Sequence, residues 1–62
     1  MITATNIYTG ATFIDEDGEI LVIEKAVKGH FYAIADSYDI ERDTEQEIID
    51  ILNKYKAEYI GA

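Results

Sequence analysis

Cysteine, proline and tryptophan are absent from this chain of 62 residues, and histidine occurs once. The lack of cysteine excludes disulfides and thiolate metal sites. A single histidine argues against a conventional zinc site, so we expect no cofactor and no metal. A domain of this size buries only about 60% of the surface that its unfolded chain exposes. Its stability must therefore come from tight aliphatic and aromatic packing, or from self-association.

Long hydrophobic runs are missing too. No apolar stretch approaches the roughly 18 residues of a membrane helix, and the N-terminus lacks the basic-then-apolar form of a secretory signal. The sequence therefore predicts a single soluble, cytoplasmic domain over residues 1–62.

Positive charge is scarce: 5 Lys and Arg stand against 13 Asp and Glu, for a net charge of −8. Phosphate backbones and anionic membranes attract clustered Lys and Arg, so we expect neither nucleic acid nor a membrane as a direct partner. The complementary partner is a larger basic protein, which an acidic field attracts from a distance. The alternative is that the acids only keep a small protein in solution.

The β-branched run at 20–27 predicts the middle strand of an antiparallel meander, because turn signals bound it on both sides. The flanking strands are predicted at 11–14 and 30–38. Residues 1–9 have partial β character and predict an arm or an edge strand.

Helical periodicity follows, with Thr44 as a candidate N-cap and Gly61 as a candidate left-handed residue at the C-terminal end. The predicted helix covers 44–59. The expected fold class is thus α+β: a three-stranded antiparallel β-meander, with or without an added N-terminal strand, followed by one C-terminal amphipathic helix packed on one face.

The predicted pairing makes both faces of this sheet apolar, because loops of even length place Phe13 and Ile14 on opposite sides of a doubly apolar middle strand. One helix covers only one face. The other face is then a self-association surface, unless the N-terminal arm covers it or the sheet curls into an open barrel. That predicted surface consists of Leu21, Ile23, Tyr32 and Ile34.

No catalytic arrangement is recognisable. His30 and Ser37 stand alone, without a motif that would supply a partner group. The loop from Asp15 to Glu19 resembles part of a calcium loop, but Phe13 occupies a position that needs an oxygen ligand. We therefore expect no enzyme, no catalytic residue and no metal site.

The acids concentrate in two tracts, one in the first turn and one leading into the helix, which could imitate the spacing of phosphates. Tyrosines near them add contact area of the kind enriched at interfaces. The predicted partner-binding residues are Asp36, Tyr38, Asp39, Glu41, Asp43 and Glu47, with Asp15 and Asp17 as a second patch.

In size, acidity and lack of motifs, the chain resembles the general class of small, acidic, phage-encoded inhibitors, which includes anti-CRISPR and anti-restriction proteins. The resemblance covers no specific motif, and we assign no family. It implies a non-enzymatic protein-binding module that inhibits or modulates a larger basic protein handling nucleic acid. The alternative is a homodimeric structural or accessory subunit that uses the apolar sheet face.

Overall fold

Five antiparallel strands and one helix form a small α+β fold in the computed structural model, which describes residues 1–61. The last residue of the predicted domain, Ala62, lies outside the described residues. The strands occur in the order β4-β3-β2-β1-β5 across the sheet. The elements are β1 (Thr12–Ile14), β2 (Ile20–Val27), β3 (His30–Ile34), β4 (Asp39–Arg42), α1 (Glu45–Lys54) and β5 (Glu58–Gly61).

The three predicted strands are present, although the third ends at Ile34 and not at residue 38, and the sheet has two more. Residues 39–42, which lie between the predicted third strand and the predicted helix, form β4, an edge strand in which Ile40 is buried and its two neighbours are exposed. The first nine residues contain a 3-10 turn at Ala4–Asn6 and no strand, so of the two alternatives predicted for this segment the structure shows the arm and not the edge strand. Ile2 and Ile7 instead enter the core.

The loop between β1 and β2 has five residues, 15–19, and this odd number reverses the predicted pairing. Phe13 lies opposite Leu21, and Ile14 lies opposite Ile20. A carboxylate oxygen of Asp15 accepts two backbone N–H groups from the same loop, each at 2.9 Å, which holds the loop at this length. Phe13 therefore shares a face with Leu21, and not with Ile20 as the even loop predicted.

A β-bulge at Glu24 makes the second change of register. From the two-residue turn as far as Lys25, β2 pairs with β3 as predicted. Beyond Glu24 the register shifts, so that Ile23 lies opposite Ala33 and not opposite Ile34. Because side chains alternate between the two faces of a strand, one extra residue moves the remainder of β2 to the opposite face.

Together the odd loop and the bulge give the sheet a single core face. Leu21 and Ile23, predicted to lie on a surface, are 0% and 1% exposed and pack with residues of the helix and the N-terminal segment. The prediction that they form part of a self-association face is therefore wrong. The core comprises Ile2, Ile7, Ala11, Phe13, Leu21, Ile23, Phe31, Ala33, Ala35, Ile40, Ile48, Ile49, Leu52 and Ala57.

We predict a sharp contrast between two adjacent positions of β2. Leu21→Ala should lower the free energy of unfolding by about 2–5 kcal/mol, because it opens a cavity in the core. Ile20→Ala should cost under about 1 kcal/mol, because Ile20 is 44% exposed. Urea unfolding measures both variants; equal losses would contradict the single core face.

The helix begins with a capping box. The Thr44 hydroxyl accepts the backbone N–H of Glu47, and the Glu47 carboxylate accepts the backbone N–H of Thr44. Glu47 is also one of two acids in the first turn, where the helix dipole favours negative charge. The side chains of Ile48, Ile49 and Leu52 are buried in the core.

The helix ends at Lys54, five residues before its predicted end at Tyr59. Lys56 takes a left-handed conformation with φ of 56°, the backbone N–H of Ala57 donates to the Leu52 carbonyl, and the chain then pairs with β1 as β5. This is a Schellman motif, in which glycine is the usual left-handed residue. The prediction placed that residue at Gly61, because no glycine marks the true end.

We predict that Lys56→Gly raises the free energy of unfolding by about 0.5–1 kcal/mol. Glycine adopts the left-handed conformation without the steric cost that lysine has there, and the greater entropy that glycine loses on folding offsets only part of this gain. Thermal unfolding measures the change. Lys54→Gly, at the last helical residue, is the matched control and should lower stability, because glycine is a poorer helix former than lysine. Destabilisation by both changes would contradict the role given to Lys56.

Candidate functional site

The side of the sheet that faces away from the core, called the outer face below, carries partly exposed side chains. Ile20 and Ile34 are 44% and 39% exposed, and Val22 lies between them, directly opposite Ile34. The helix and the N-terminal segment contribute their buried residues to the opposite side. The outer face comprises Thr12, Ile14, Ile20, Val22, Lys25, Val27, His30, Tyr32, Ile34, Asp39, Glu41 and Glu58.

Two carboxylates on β4 lie beside the apolar side chains of Ile34 and Val22. Asp39 and Glu41 are exposed, lie on either side of the buried Ile40, and pair across the strands with Ile34 and Tyr32. Their spacing along the strand is about 6.7 Å, since each strand residue advances about 3.3–3.4 Å. The two acids thus point the same way from a strand held by its neighbour.

An aromatic and an imidazole hold these carboxylates in place. The Tyr32 hydroxyl donates to Asp39 at 3.1 Å, and His30 Nε2 lies 2.5 Å from a Glu41 carboxylate oxygen. The rings of His30 and Tyr32 are stacked, with their centroids 6.4 Å apart. The hydrogen bond to Asp39 raises the pKa of Tyr32, and burial and the charges of Asp39, Glu41 and Glu24 raise it further.

The predicted second patch is divided between buried and exposed residues. Asp15 is 9% exposed, and its carboxylate accepts the Tyr38 hydroxyl at 2.7 Å in addition to two backbone N–H groups. Glu19 accepts both the backbone N–H and the hydroxyl of Ser37. These bonds join the β1–β2 loop to the turn between β3 and β4, a contact called the loop clamp below.

The loop clamp shifts two pKa values in opposite directions. The hydrogen bond from Tyr38, together with the backbone N–H groups, lowers the pKa of Asp15, although burial opposes this. Burial first, and then the hydrogen bond to Asp15 and nearby negative charge, raises the pKa of Tyr38. Both shifts favour an ionised carboxylate beside a neutral phenol.

A cleft of about 280 Å³ adjoins the loop clamp, lined by Asp15, Glu16, Asp17, Tyr38 and Tyr55. Its titratable groups are acids and phenols, and the innermost carboxylate is already occupied by hydrogen bonds. Among residues 1–61, no three acidic or imidazole side chains come close enough together to hold a metal ion. No helix in the same range has the length and apolar character needed to cross a membrane.

The structure brings some of the predicted partner-binding residues together and separates others. Asp39 and Glu41 share the outer face, and Asp36 is exposed in the turn that precedes them. Asp43 and Glu47 belong to the start of the helix, where Glu47 is taken up by the capping box. The others, Asp15, Asp17 and Tyr38, surround the loop clamp and its cleft.

Of the predicted self-association residues, only Tyr32 and Ile34 lie on the outer face. Ile14 was predicted on the same face as these two residues, as observed. Ile20 and Val22 were predicted on the opposite face, because an even loop and an uninterrupted ladder were assumed. No residue type near Glu24 signals the bulge, since a bulge of this kind requires no glycine.

Comparisons with protein-family models, with curated proteins and with solved structures find no match for this chain.

The loop clamp predicts a loss of stability in acid. The folded-state pKa of Asp15 is lowered. Its contribution to the free energy of unfolding is therefore complete at a pH above the ordinary aspartate pKa of about 4, and is lost as the pH falls through the folded-state pKa. Asp15→Asn should lower stability at neutral pH and make the fall of stability with decreasing pH, called the acid limb below, less steep. Asp17→Asn, an exposed neighbour, is the control. Thermal unfolding from pH 2 to 7 tests this, and equal acid limbs in all three proteins would contradict it.

The same contact predicts a loss of stability in alkali. The folded-state pKa of Tyr38 is raised. Its contribution to the free energy of unfolding is therefore complete at a pH below the ordinary tyrosine pKa of about 10, and is lost as the pH rises through the higher folded-state pKa. Tyr38→Phe should reduce this alkaline loss. Tyr32, whose pKa is also raised, accounts for a further part of it. Unfolding measured from pH 8 to 12 gives the comparison, and a profile of the Tyr38→Phe variant that coincides with the wild type would rule the effect out.

Proposed function

We propose that this protein is a non-enzymatic binding module whose outer face engages a larger basic protein. The observation that carries the proposal is the arrangement of that face: Ile34 and Val22 form an uncovered apolar strip, and Asp39 and Glu41 stand at its border. Interfaces combine apolar contact, aromatic residues such as Tyr32 and a polar border in this manner.

The distribution of charge supports a basic partner. The net charge is −8, and among the five Lys and Arg residues only Lys25 belongs to the outer face. Lys28 lies in a turn, Arg42 lies opposite Phe31 on the core side of β4, and the two other lysines are near the end of the helix. The acidic edge of the face is therefore little compensated by cations, and a cationic surface would approach it with favourable long-range attraction.

A partner that handles nucleic acid fits this chemistry best. Such a protein carries clustered Lys and Arg that contact phosphates. Two carboxylates on the same face of a strand, attached to residues about 6.7 Å apart along it, offer those cations adjacent acceptors. Asp36 is exposed in the turn before β4 and adds a further negative charge close to these two acids in the chain. In this proposal the protein acts in the cytoplasm as an inhibitor, occupying the groove in which nucleic acid would bind.

A second candidate is a homodimeric accessory subunit that associates through the same face. The exposed Ile20 and Ile34, with Val22 between them, favour it. Association of this kind would bury aliphatic surface and respond little to salt, whereas capture of a basic partner should weaken steeply as salt screens the acids. Sedimentation at high micromolar concentration distinguishes the two.

The test is capture of basic proteins from a cell extract on immobilised protein, comparing the wild type with Asp39→Lys/Glu41→Lys. Like charges facing each other should lower the affinity for the captured protein by about tenfold or more. The control variant is Glu16→Lys/Asp50→Lys, which makes the same change of net charge on a turn and on the helix.

The control variant should retain binding. Equal losses in both variants would show that only net charge matters and would contradict a role for the outer face. Capture that both variants retain at high salt would also contradict the proposed function, because it would not depend on Asp39 and Glu41.

A further inference from the structure

Strand β4 is an edge of the sheet, since β3 lies on one side of it and no strand of the described chain lies on the other. The direction of its backbone groups follows from one hydrogen bond. The backbone N–H of Ala35 donates to the Tyr38 carbonyl at 2.9 Å, so this pair closes the turn as a hydrogen-bonded pair.

Hydrogen-bonded and non-hydrogen-bonded pairs alternate along an antiparallel ladder. The pair of Ile34 with Asp39 is therefore non-hydrogen-bonded, and so is the pair of Tyr32 with Glu41. In such pairs the backbone N–H and C=O groups point away from the partner strand. The backbone groups of Asp39 and Glu41 thus point toward the open edge, while their side chains project from the outer face.

We propose that this edge receives an extended basic segment of the partner protein as a sixth, antiparallel strand. The inference rests on the proposed function and specifies how the partner binds. An added strand forms main-chain hydrogen bonds with an exposed sheet edge, and its alternate side chains provide the specificity.

Charge complementarity identifies the segment. A residue of the added strand that exchanges hydrogen bonds with Asp39 or Glu41 lies directly opposite it, and its side chain emerges on the same face. Cations at alternate positions therefore meet both carboxylates. The matching segment is a strand with Lys or Arg at every second residue.

The other edge of the sheet does not offer this pattern. Strand β5 has a carboxylate only at Glu58, and its next two residues are Tyr59 and Ile60. An alternating basic strand would therefore find one acid there and two on β4.

One side chain limits access to the β4 edge. Arg42 Nη1 donates to the Glu41 carbonyl at 2.7 Å, and this carbonyl is one of the groups that point toward the open edge. An incoming strand must displace this bond. Arg42 thus acts as a latch that covers one acceptor in the unbound protein.

The experiment titrates the protein with a blocked eight-residue peptide that alternates lysine and threonine, followed by NMR. Binding should shift the amide signals of Asp39 and Glu41 and slow their hydrogen exchange. A peptide of the same composition with its four lysines contiguous should bind more weakly. Equal binding by the two peptides would overturn the proposal.

Methylated peptides separate strand addition from simple charge attraction. The lysine amides of the alternating peptide face β4, so N-methylation of two of them should lower affinity by about tenfold or more. N-methylation of two threonine amides, which face away, is the matched control and should have little effect. Equal effects of the two methylations would also overturn the proposal.

Variants of the protein give an independent measurement. Arg42→Ala should raise the affinity for the alternating peptide about two- to tenfold, because it frees the Glu41 carbonyl. Lys54→Ala removes the same charge from the neighbouring helix face and should raise the affinity less. If the two variants behave alike, the latch is excluded.

The two proposals fail separately. Absence of peptide binding, while capture of a basic protein still depends on Asp39 and Glu41, would end the added-strand inference and leave the proposed function intact. If capture does not depend on these acids, the proposed function fails, whatever the peptide does.

Discussion

The fold depends on how strand β2, which is rich in aliphatic residues at consecutive positions, places the largest of them on the one face of the sheet that is buried. Strand β2 has consecutive aliphatic residues, and a regular ladder would expose half of them. The odd loop of 15–19 and the bulge at Glu24 together place Phe13, Leu21 and Ile23 on the side where the helix contributes its buried residues. Because no disulfide is available, a chain of 62 residues depends on burying large aliphatic and aromatic side chains of this kind for its stability.

Acidic residues serve two separate purposes in this molecule. Asp15, Glu19 and Glu47 are taken up by hydrogen bonds that hold a loop, a turn and a helix end. Asp39 and Glu41 are instead exposed on an edge strand, positioned by Tyr32 and His30. These two acids are therefore the ones that remain exposed at the edge where we propose that a cationic partner binds. Exposed charge also protects a strand edge from uncontrolled pairing.

The outer face joins the two candidate functions in one surface. Its aliphatic strip would serve a second copy of the chain, and its acidic border would serve a basic protein. The border lies on β4, where the backbone groups are also open, so charge and hydrogen bonding coincide there. This coincidence is why we favour a basic partner over self-association.

The sequence by itself determined the α+β class, the central strand, the two-residue turn at Lys28 and the capping box at Thr44, because these depend on local propensity and turn chemistry. Only the tertiary structure decided which aliphatic residues are buried. A bulge requires no special residue, and a left-handed Lys56 can replace the glycine that would mark a helix end. Strands β4 and β5 likewise have little signal of their own, since each is a short edge strand that the rest of the sheet holds in place. Which face of the sheet a strand residue occupies depends on how the whole strand pairs with its neighbours. A single inserted residue moves every residue beyond it to the opposite face.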